Sequence, residues 1–294
     1  MFGFLNLHKP AGVTSRTLVD RVERLAPRKL KVGHAGTLDP LATGVLVIAI
    51  GPATRLVPRI HQFSKSYRAE FELGLRSDTD DIDGQLERGT NVCEVPREAV
   101  ECALEEFRGT ILQTPPRHSA VKVGGRRAYE MARAGEAVEL KPREVTVHRL
   151  ELAGWAWPRF VLNVECSSGT YIRSIGRDLG ERLGTGAVMT SLVRTCVGPF
   201  LLEQALAPET LTRCSIRTSL IDPVIAAPDY RPVVLSEADV TNVRHGMPVA
   251  MENASFAEPV APVAAVDENQ RLVALGAHHA ATRRFVSEMV FESF

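Results

Sequence analysis

The 294-residue sequence predicts an α+β fold in which a large mixed domain is followed by a small β domain. Three observations lead there. Segments with two-residue apolar alternation and segments with helical spacing succeed one another without the regular strand–helix–strand order of a parallel α/β sheet. The apolar fraction is 45%, enough for a continuous core, and no apolar run approaches the roughly 18 residues that a membrane-spanning helix needs. Near Pro223, Pro228 and Pro232 the chain becomes proline-rich, which reads as a linker, and only short strand-like pieces follow. The expected division is 1–227 and 228–294.

Residues 1–10 alternate and end in Pro10, the pattern of a first strand. They lack the basic start and small-residue cleavage site of a secretory leader. Five cysteines without a C-x-x-C pair fit buried thiols in a reducing cytoplasm better than a disulfide framework or a zinc site. Thr14 or Ser15 suits the cap of a helix carrying Leu18, Val19, Val22 and Leu25, which Pro27 ends. The uninterrupted apolar run 45–50 reads as a buried strand, and 67–75 as a strand with Tyr67, Ala69, Phe71 and Leu73 on one face. Pro96 opens a helix with Val100, Ala103, Leu104 and Phe107 inward and Gly109 at its end; a third helix occupies 127–134, closed by Gly135. Strands follow at 145–152 and 160–166. Ser167-Ser168-Gly169-Thr170 then leads into a helix with Ile172, Ile175, Leu179 and Leu183, stopped by Gly184. In the tail, the Ala/Pro-rich stretch 254–265 reads as a loose loop.

The segment Gly33-His34-Ala35-Gly36-Thr37-Leu38-Asp39-Pro40-Leu41-Ala42-Thr43-Gly44 places one carboxylate among three glycines and a proline. Pro40 pushes Asp39 toward extended backbone, and the glycines permit close approach of a partner. A carboxylate held stiffly in such a loop suits a nucleophile or general base. The alternative is a helix cap with Pro40 at the first helical position. Arg173 falls in a first helical turn, where a cation meets the positive end of the macrodipole; a partner carboxylate accounts for it, and a surface arginine is the alternative. Tyr67, beside Lys65 and Arg68, is either a cross-strand aromatic or a platform on which a base stacks. In the acidic run 78–84, Asp81-x-Asp83-Gly84 matches part of a calcium loop. With Gly84 sixth, however, Thr79 would be first and Thr90 twelfth, where carboxylates are required, so a self-capping turn is the better reading. No G-x-x-x-x-G-K-[ST] occurs, and Gly184-Thr185-Gly186 lacks a third glycine.

The formal net charge is zero, but it is unevenly spread. Residues 1–34 carry a net +5 (Lys9, Arg16, Arg21, Arg24, Arg28, Lys29 and Lys31 against two acids), residues 117–149 a net +4 and residues 69–106 a net −9. Two basic segments can build a phosphate-binding face on a neutral protein; solvated faces are the alternative.

Taken together, the Gly33–Gly44 segment, Lys65-Ser66-Tyr67, the 78–84 run and Gly169-Thr170-Tyr171-Ile172-Arg173 resemble the TruB family of bacterial tRNA pseudouridine-55 synthases. The opening 6–15, Gln113-Thr114-Pro115-Pro116 and Ser119-Ala120-Val121-Lys122 fit as well, and the resemblance spans roughly 3–225 in order. It implies a pseudouridine synthase fold, with a central mixed, mostly antiparallel sheet flanked by helices, and, from a distant likeness, a small PUA-like β domain in the acidic tail. It implies isomerisation of uridine 55 in the T loop of tRNA by base flipping, without metal or cofactor. Asp39 would be the nucleophile, its pKa kept low by an ion pair with Arg173, and Tyr67 would stack on the flipped uracil. Tyr171 and Leu192 would line the pocket, Asp81 organise it, and His34 enter the T loop. The implied partner is the tRNA T stem-loop, in the cytoplasm, with no membrane and no obligate protein partner. Two residues depart from the pattern: His118 where tyrosine is usual, and Val193 where a second arginine is usual. A catalytically silent RNA-binding module and a metal-dependent nuclease using Asp78–Asp83 are the competing classes.

Overall fold

The computed structural model describes residues 1–89, 93–119, 121–136, 139–251 and 258–291. The elements in order are β1 (Gly3–Lys9), α1 (Ser15–Leu25), β2 (Val32–His34), β3 (Thr43–Ile50), α2 (Val57–Gln62), β4 (Lys65–Leu73), β5 (Leu75–Ser77), β6 (Leu86–Arg88), α3 (Arg97–Leu104), β7 (Gly109–Gln113), β8 (Lys122–Val123), β9 (Arg126–Arg127) and α4 (Ala128–Arg133). They continue with β10 (Arg143–Ala156), β11 (Arg159–Cys166), α5 (Ile172–Arg182), β12 (Ala187–Val197), β13 (Phe200–Leu201), β14 (Arg231–Val234), α6 (Glu237–Arg244), β15 (Val249–Ala250), β16 (Val260–Val266), β17 (Leu272–His279) and β18 (Arg284–Val290).

A nine-stranded sheet runs β1-β3-β12-β4-β11-β10-β7, with β2 also on β3 and β13 also on β12. Its pairs are antiparallel except β12 with β3, where Val193 and Arg194 lie parallel to Thr43 and Gly44. The mixed, mostly antiparallel sheet of an α+β fold is therefore as expected. Burial explains the two strand patterns. Val45, Val47 and Ala49 enter one core and Leu46, Ile48 and Ile50 another, so β3 is covered on both faces and reads as one apolar run. On β4, Ala69, Phe71 and Leu73 are buried while Arg68 and Glu70 are exposed, so its sequence alternates.

Two helices position the site. Thr14 caps α1 by accepting from Thr17 N at 3.1 Å, and Leu18, Val19 and Val22 pack on β1 and β3. Helix α5 lies close against β4 because Gly176 faces the Phe71 ring, with no room for a Cβ between them. The Phe71 ring in turn stacks on Phe160 at 5.1 Å. Gly109 does not close α3: a 3₁₀ turn at Glu105–Phe107 does, and Gly109 opens β7 at φ +76°.

The tail forms a second, five-stranded sheet, β14-β16-β17-β18-β15, with α6 against it. The loose loop expected at 254–265 is corrected: 254–257 lie outside the described residues, but Val260–Val266 is a strand with Val263, Ala264 and Ala265 buried. Small side chains there let a flanked strand pack tightly, which composition alone reads as slack. The linker expected around Pro223, Pro228 and Pro232 is packed at its start, while Pro228 and Pro232 are exposed. Pro223–Ala226 is a 3₁₀ turn capped by Asp222, with Pro223, Ala226 and Ala227 buried. Phe4, Val45, Val47 and Ala227 share one core with Leu275 and Phe291 of the tail, and Phe291 stacks on Phe2 at 5.1 Å. Of the five free cysteines only Cys166 is buried, while Cys93, Cys102 and Cys214 are exposed, which corrects the expectation of buried thiols. Among the described residues, no helix is long and apolar enough to cross a membrane.

Candidate active site

Asp39 sits in the loop that joins β2 to β3, two strands paired from Val32 with Ile50 to His34 with Ile48. No helix follows Pro40, so the cap reading of Asp39 is excluded. The loop is fixed by side chains from three other elements. Ser15 Oγ accepts from Leu38 N at 2.9 Å and donates to Leu38 O at 3.1 Å. Pro40 O accepts from Gly12 N at 2.9 Å and from Lys9 Nζ at 3.2 Å. Arg194, reaching in from β12, donates to Val45 O at 2.7 Å, Gly36 O at 3.0 Å and Thr37 O at 3.3 Å. Leu38 and Ala42 are buried on either side of Asp39. Gly44, at φ +102°, has no room for a side chain because the Arg194 backbone lies against it. The carboxylate is thus held at both its chain neighbours, in a loop with little freedom to lose on binding.

Arg173, second residue of α5 and 5% exposed, meets the partner carboxylates its position demands: Nη2 lies 3.0 Å from Asp39 Oδ2 and Nη1 3.3 Å from Asp81 Oδ2. It also donates to Thr79 O at 2.7 Å and to His118 O at 3.1 Å. The surface alternative for Arg173 is therefore excluded. Because His118 contributes its backbone oxygen here, the departure at that position leaves this contact intact. Asp81 is fixed by Thr79 Oγ1 at 2.6 Å and Asp83 N at 3.2 Å. Its loop is tied to β12 through Ile82 N with Met189 O, 3.0 Å. Asp80 pairs with Arg177 at 2.9 Å and Asp78 Oδ1 accepts from Gln85 N at 2.7 Å, so the acidic run is spent on arginines and on its own turn. Thr90 lies outside the described residues; among those described, no cluster of three or more His, Cys, Asp or Glu could hold a metal.

The electrostatics correct one expectation. The Asp39 carboxyl is not held low: burial pushes it above the ordinary carboxylate value, and the nearby Asp81 adds to the rise. Arg173 and Lys9 oppose the shift without cancelling it. An arginine at 3.0 Å stabilises the charge, but a carboxylate screened from water by its own loop loses more in hydration. The side chain remains 39% exposed, so part of it is open to a ligand.

The other expected residues take three positions. Tyr67 and Leu192 belong to the core cluster that contains Leu38 and Ala42, with Tyr67 half-buried on β4 directly across from Arg194 of β12. Burial raises the Tyr67 phenol, so it keeps its proton at neutral pH. Tyr171 precedes α5, its backbone exchanging two bonds with Gln113 at 2.7 and 3.0 Å and its ring lying 4.9 Å beneath the Arg143 guanidinium. His34 stands apart, at the end of β2, with Nδ1 buried and without a partner among the described residues. Burial and Arg194 lower its pKa, which favours the neutral ring.

Sequence reasoning missed Arg194 and Ser15 as loop clamps and misplaced two lysines. Lys9 is fully buried, donating to Pro10, Val13 and Pro40 carbonyls, and burial lowers it to about 8. Lys65 caps α2 through His61 O and Phe63 O and is likewise lowered to about 8. Neither belongs to a phosphate-facing surface. The available signal at Arg194 was a cation close to the apolar Leu192, Val193 and Val197.

The family profile described as TruB family pseudouridylate synthase (N terminal domain) matches residues 23–172. A protein from Thermobifida fusca named tRNA pseudouridine synthase B is 45% identical over 252 residues, covering 83% of this chain and 85% of that protein. One of the same name from Synechocystis is 43% identical over 237 residues, covering 80% and 76%. Of solved structures, an H/ACA RNP bound to a substrate RNA containing 2′-deoxyuridine contains a similar chain. That chain is 25% identical with a TM-score of 0.71, the match covering 99% of this chain and 86% of it. A chain of a Cbf5-Nop10-Gar1 complex gives 26%, 0.70, 99% and 84%. The class is that of the pseudouridylate synthases, isomerases that convert uridine to its C-glycoside. Within it, the chain belongs to the TruB family.

Proposed function

We propose that this protein isomerises uridine 55 in the T loop of tRNA in the cytoplasm, with Asp39 as the nucleophile. The observation that carries the reading is the Asp39 carboxylate itself, immobilised by its neighbours, 3.0 Å from a buried arginine and still partly exposed. The reaction balances within the substrate: the N1–C1′ bond breaks, the base turns, C5 bonds to C1′, and C5 gives up its proton as N1 gains one. Nothing enters or leaves, so the protein has to expose the base, hold it and supply a transient nucleophile, and a flipped base can meet such a group only outside the helical stack. Asp39 attacks the sugar or the base; Arg173 orients it and Asp81 holds Arg173. Tyr67, whose phenol keeps its proton, stacks on the uracil. Leu192 and Tyr171 wall the site, and His34, neutral, enters the T loop.

The relatives named tRNA pseudouridine synthase B support tRNA as the substrate. The test is to incubate the purified protein with a tRNA transcript and map pseudouridine at nucleotide resolution, with EDTA in a parallel sample. One new pseudouridine at position 55 in both samples is expected. Binding without product would leave a silent RNA-binding module, and strand cleavage abolished by EDTA would leave a nuclease.

A further inference from the structure

A second cationic site lies at the far end of α1. Helix α1 starts at Ser15, which is bonded to the residue before Asp39, and runs eleven residues, about 16 Å, away from it. Where it ends, Arg24, Arg28 and Lys29 meet Arg213 and Arg217 around one concavity of about 1080 Å³. All five cations are exposed, and none has a carboxylate partner among the described residues. Glu23, the one acid on the rim, is taken by Arg16 at 3.0 Å.

The chain brings these groups together at a cost. Leu211 and Ile216 are buried in the same core as Leu18, Val19 and Val22, which pins the segment carrying Arg213 and Arg217 against α1. Five like charges around one depression repel one another and destabilise the compact state unless an anion answers them. Lys9, by contrast, is buried with its ammonium against carbonyls, and Arg21 is half-buried and donates to Pro208 O at 2.8 Å; Arg24 also donates through Nε, to Asp20 O at 3.1 Å, but stays exposed. The cations stand on a broad rim above the partly buried Leu25 and Leu30, without buried donors converging on one point. That geometry suits an extended polyanion with regularly spaced charges, not a small anion.

We propose that this groove binds phosphates of the substrate RNA backbone, remote from the reacting base, and that it contributes to affinity and not to the chemical step. The inference rests on the proposed action on RNA. It is tested with Arg213→Glu/Arg217→Glu in the full-length protein, whose fold is checked by circular dichroism and thermal melting, with Arg213→Gln/Arg217→Gln as the milder pair. Binding of a tRNA transcript is measured from 50 to 300 mM salt, and pseudouridine formation by single turnover at saturating protein.

Each neutralised duplex phosphate contributes about 0.9 to the slope of log K against log salt, so losing two should flatten it by roughly 2. Affinity at 0.1 M salt should fall at least about tenfold while the saturating rate stays within twofold. An unchanged slope and affinity overturn the proposal, as does a lost saturating rate with parental binding. A poly-glutamate peptide that displaces tRNA from the parent as well as poly-U does, but not from the variant, assigns the groove to an acidic protein and likewise overturns it. Because the slope is read from binding, it judges the groove even if the parent makes no pseudouridine, an outcome that would refute the function reading alone.

Discussion

Replacing Arg194 with lysine keeps the positive charge and removes the planar fork that holds the Asp39 loop. Arg194 is 2% exposed, and its guanidinium donates to three carbonyls, Val45 at 2.7 Å, Gly36 at 3.0 Å and Thr37 at 3.3 Å. Each oxygen is met by a different nitrogen of the fork, Nε, Nη1 or Nη2, whereas the shorter lysine side chain brings all its donors from one atom at one place, and is expected to lose one of the two shorter bonds. The Thr37 bond is long and weak. Losing one short bond costs about 1.5–3 kcal/mol for a charge-assisted interaction, and leaving a buried carbonyl unpaired adds about 1–3 kcal/mol. The expected loss is therefore about 2.5–6 kcal/mol, a large part of a typical domain's stability. Because Gly36 and Thr37 lie only three and two residues before Asp39, the loop should also shift. A displacement of the order of 1 Å at a catalytic group costs about 10²-fold in rate. Urea unfolding measures the first effect and single turnover at saturating protein the second. A lysine variant with parental unfolding midpoint and rate would refute the clamp, and one with lowered stability but parental rate would refute its role in positioning Asp39.

Asp39→Asn should abolish turnover while tRNA affinity changes by less than about tenfold, or roughly 1.4 kcal/mol, measured by filter binding and product mapping. Burial raises the Asp39 pKa in the folded protein, so the native state retains that proton to higher pH than the unfolded chain. Ionising Asp39 therefore costs stability as pH rises through its folded pKa, and Asp39→Asn should melt no lower than the parent at neutral pH. The same shift places the acid limb of the saturating rate above the ordinary carboxylate range; a limb at or below it would contradict the burial argument. Arg173→Lys should lower the single-turnover rate at least about 10²-fold, because one ammonium cannot serve Asp39 and Asp81 together. Gly44→Ala should lower the unfolding midpoint, since the new Cβ meets the Arg194 backbone and the residue sits at φ +102°.

Much of the site was legible in the chain. Asp39 before Pro40 announced a stiff carboxylate, and Arg173 in a first helical turn announced a missing partner; the structure places the two 3.0 Å apart. Asp81 was legible from the motif, although nothing near it in sequence shows that it completes the pair from the other side of Arg173. Arg194 and Lys9 were not legible as loop clamps. A cation in a sequence looks alike whether it meets water or carbonyls, and the decision depends on which backbone oxygens the loop leaves unpaired. Lys9 accordingly counted toward a basic segment although no part of it reaches solvent.

The sequence laid out most of the elements of the large domain by spacing: strand and helix periods follow from which side chains must leave water, a local property. It determined the fold class and the carboxylate at the centre of the site as well. Tertiary contact, not composition, packs residues 223–227 and the Ala-rich strand Val260–Val266, because small residues are loose or tight according to what lies against them. It alone brought Arg213 and Arg217 beside Arg24, nearly two hundred residues earlier, through a shared core. It also set the direction of the Asp39 pKa: the attraction of Arg173 was foreseeable from the sequence, but the loss of hydration that outweighs it depends on how the loop closes around the carboxylate.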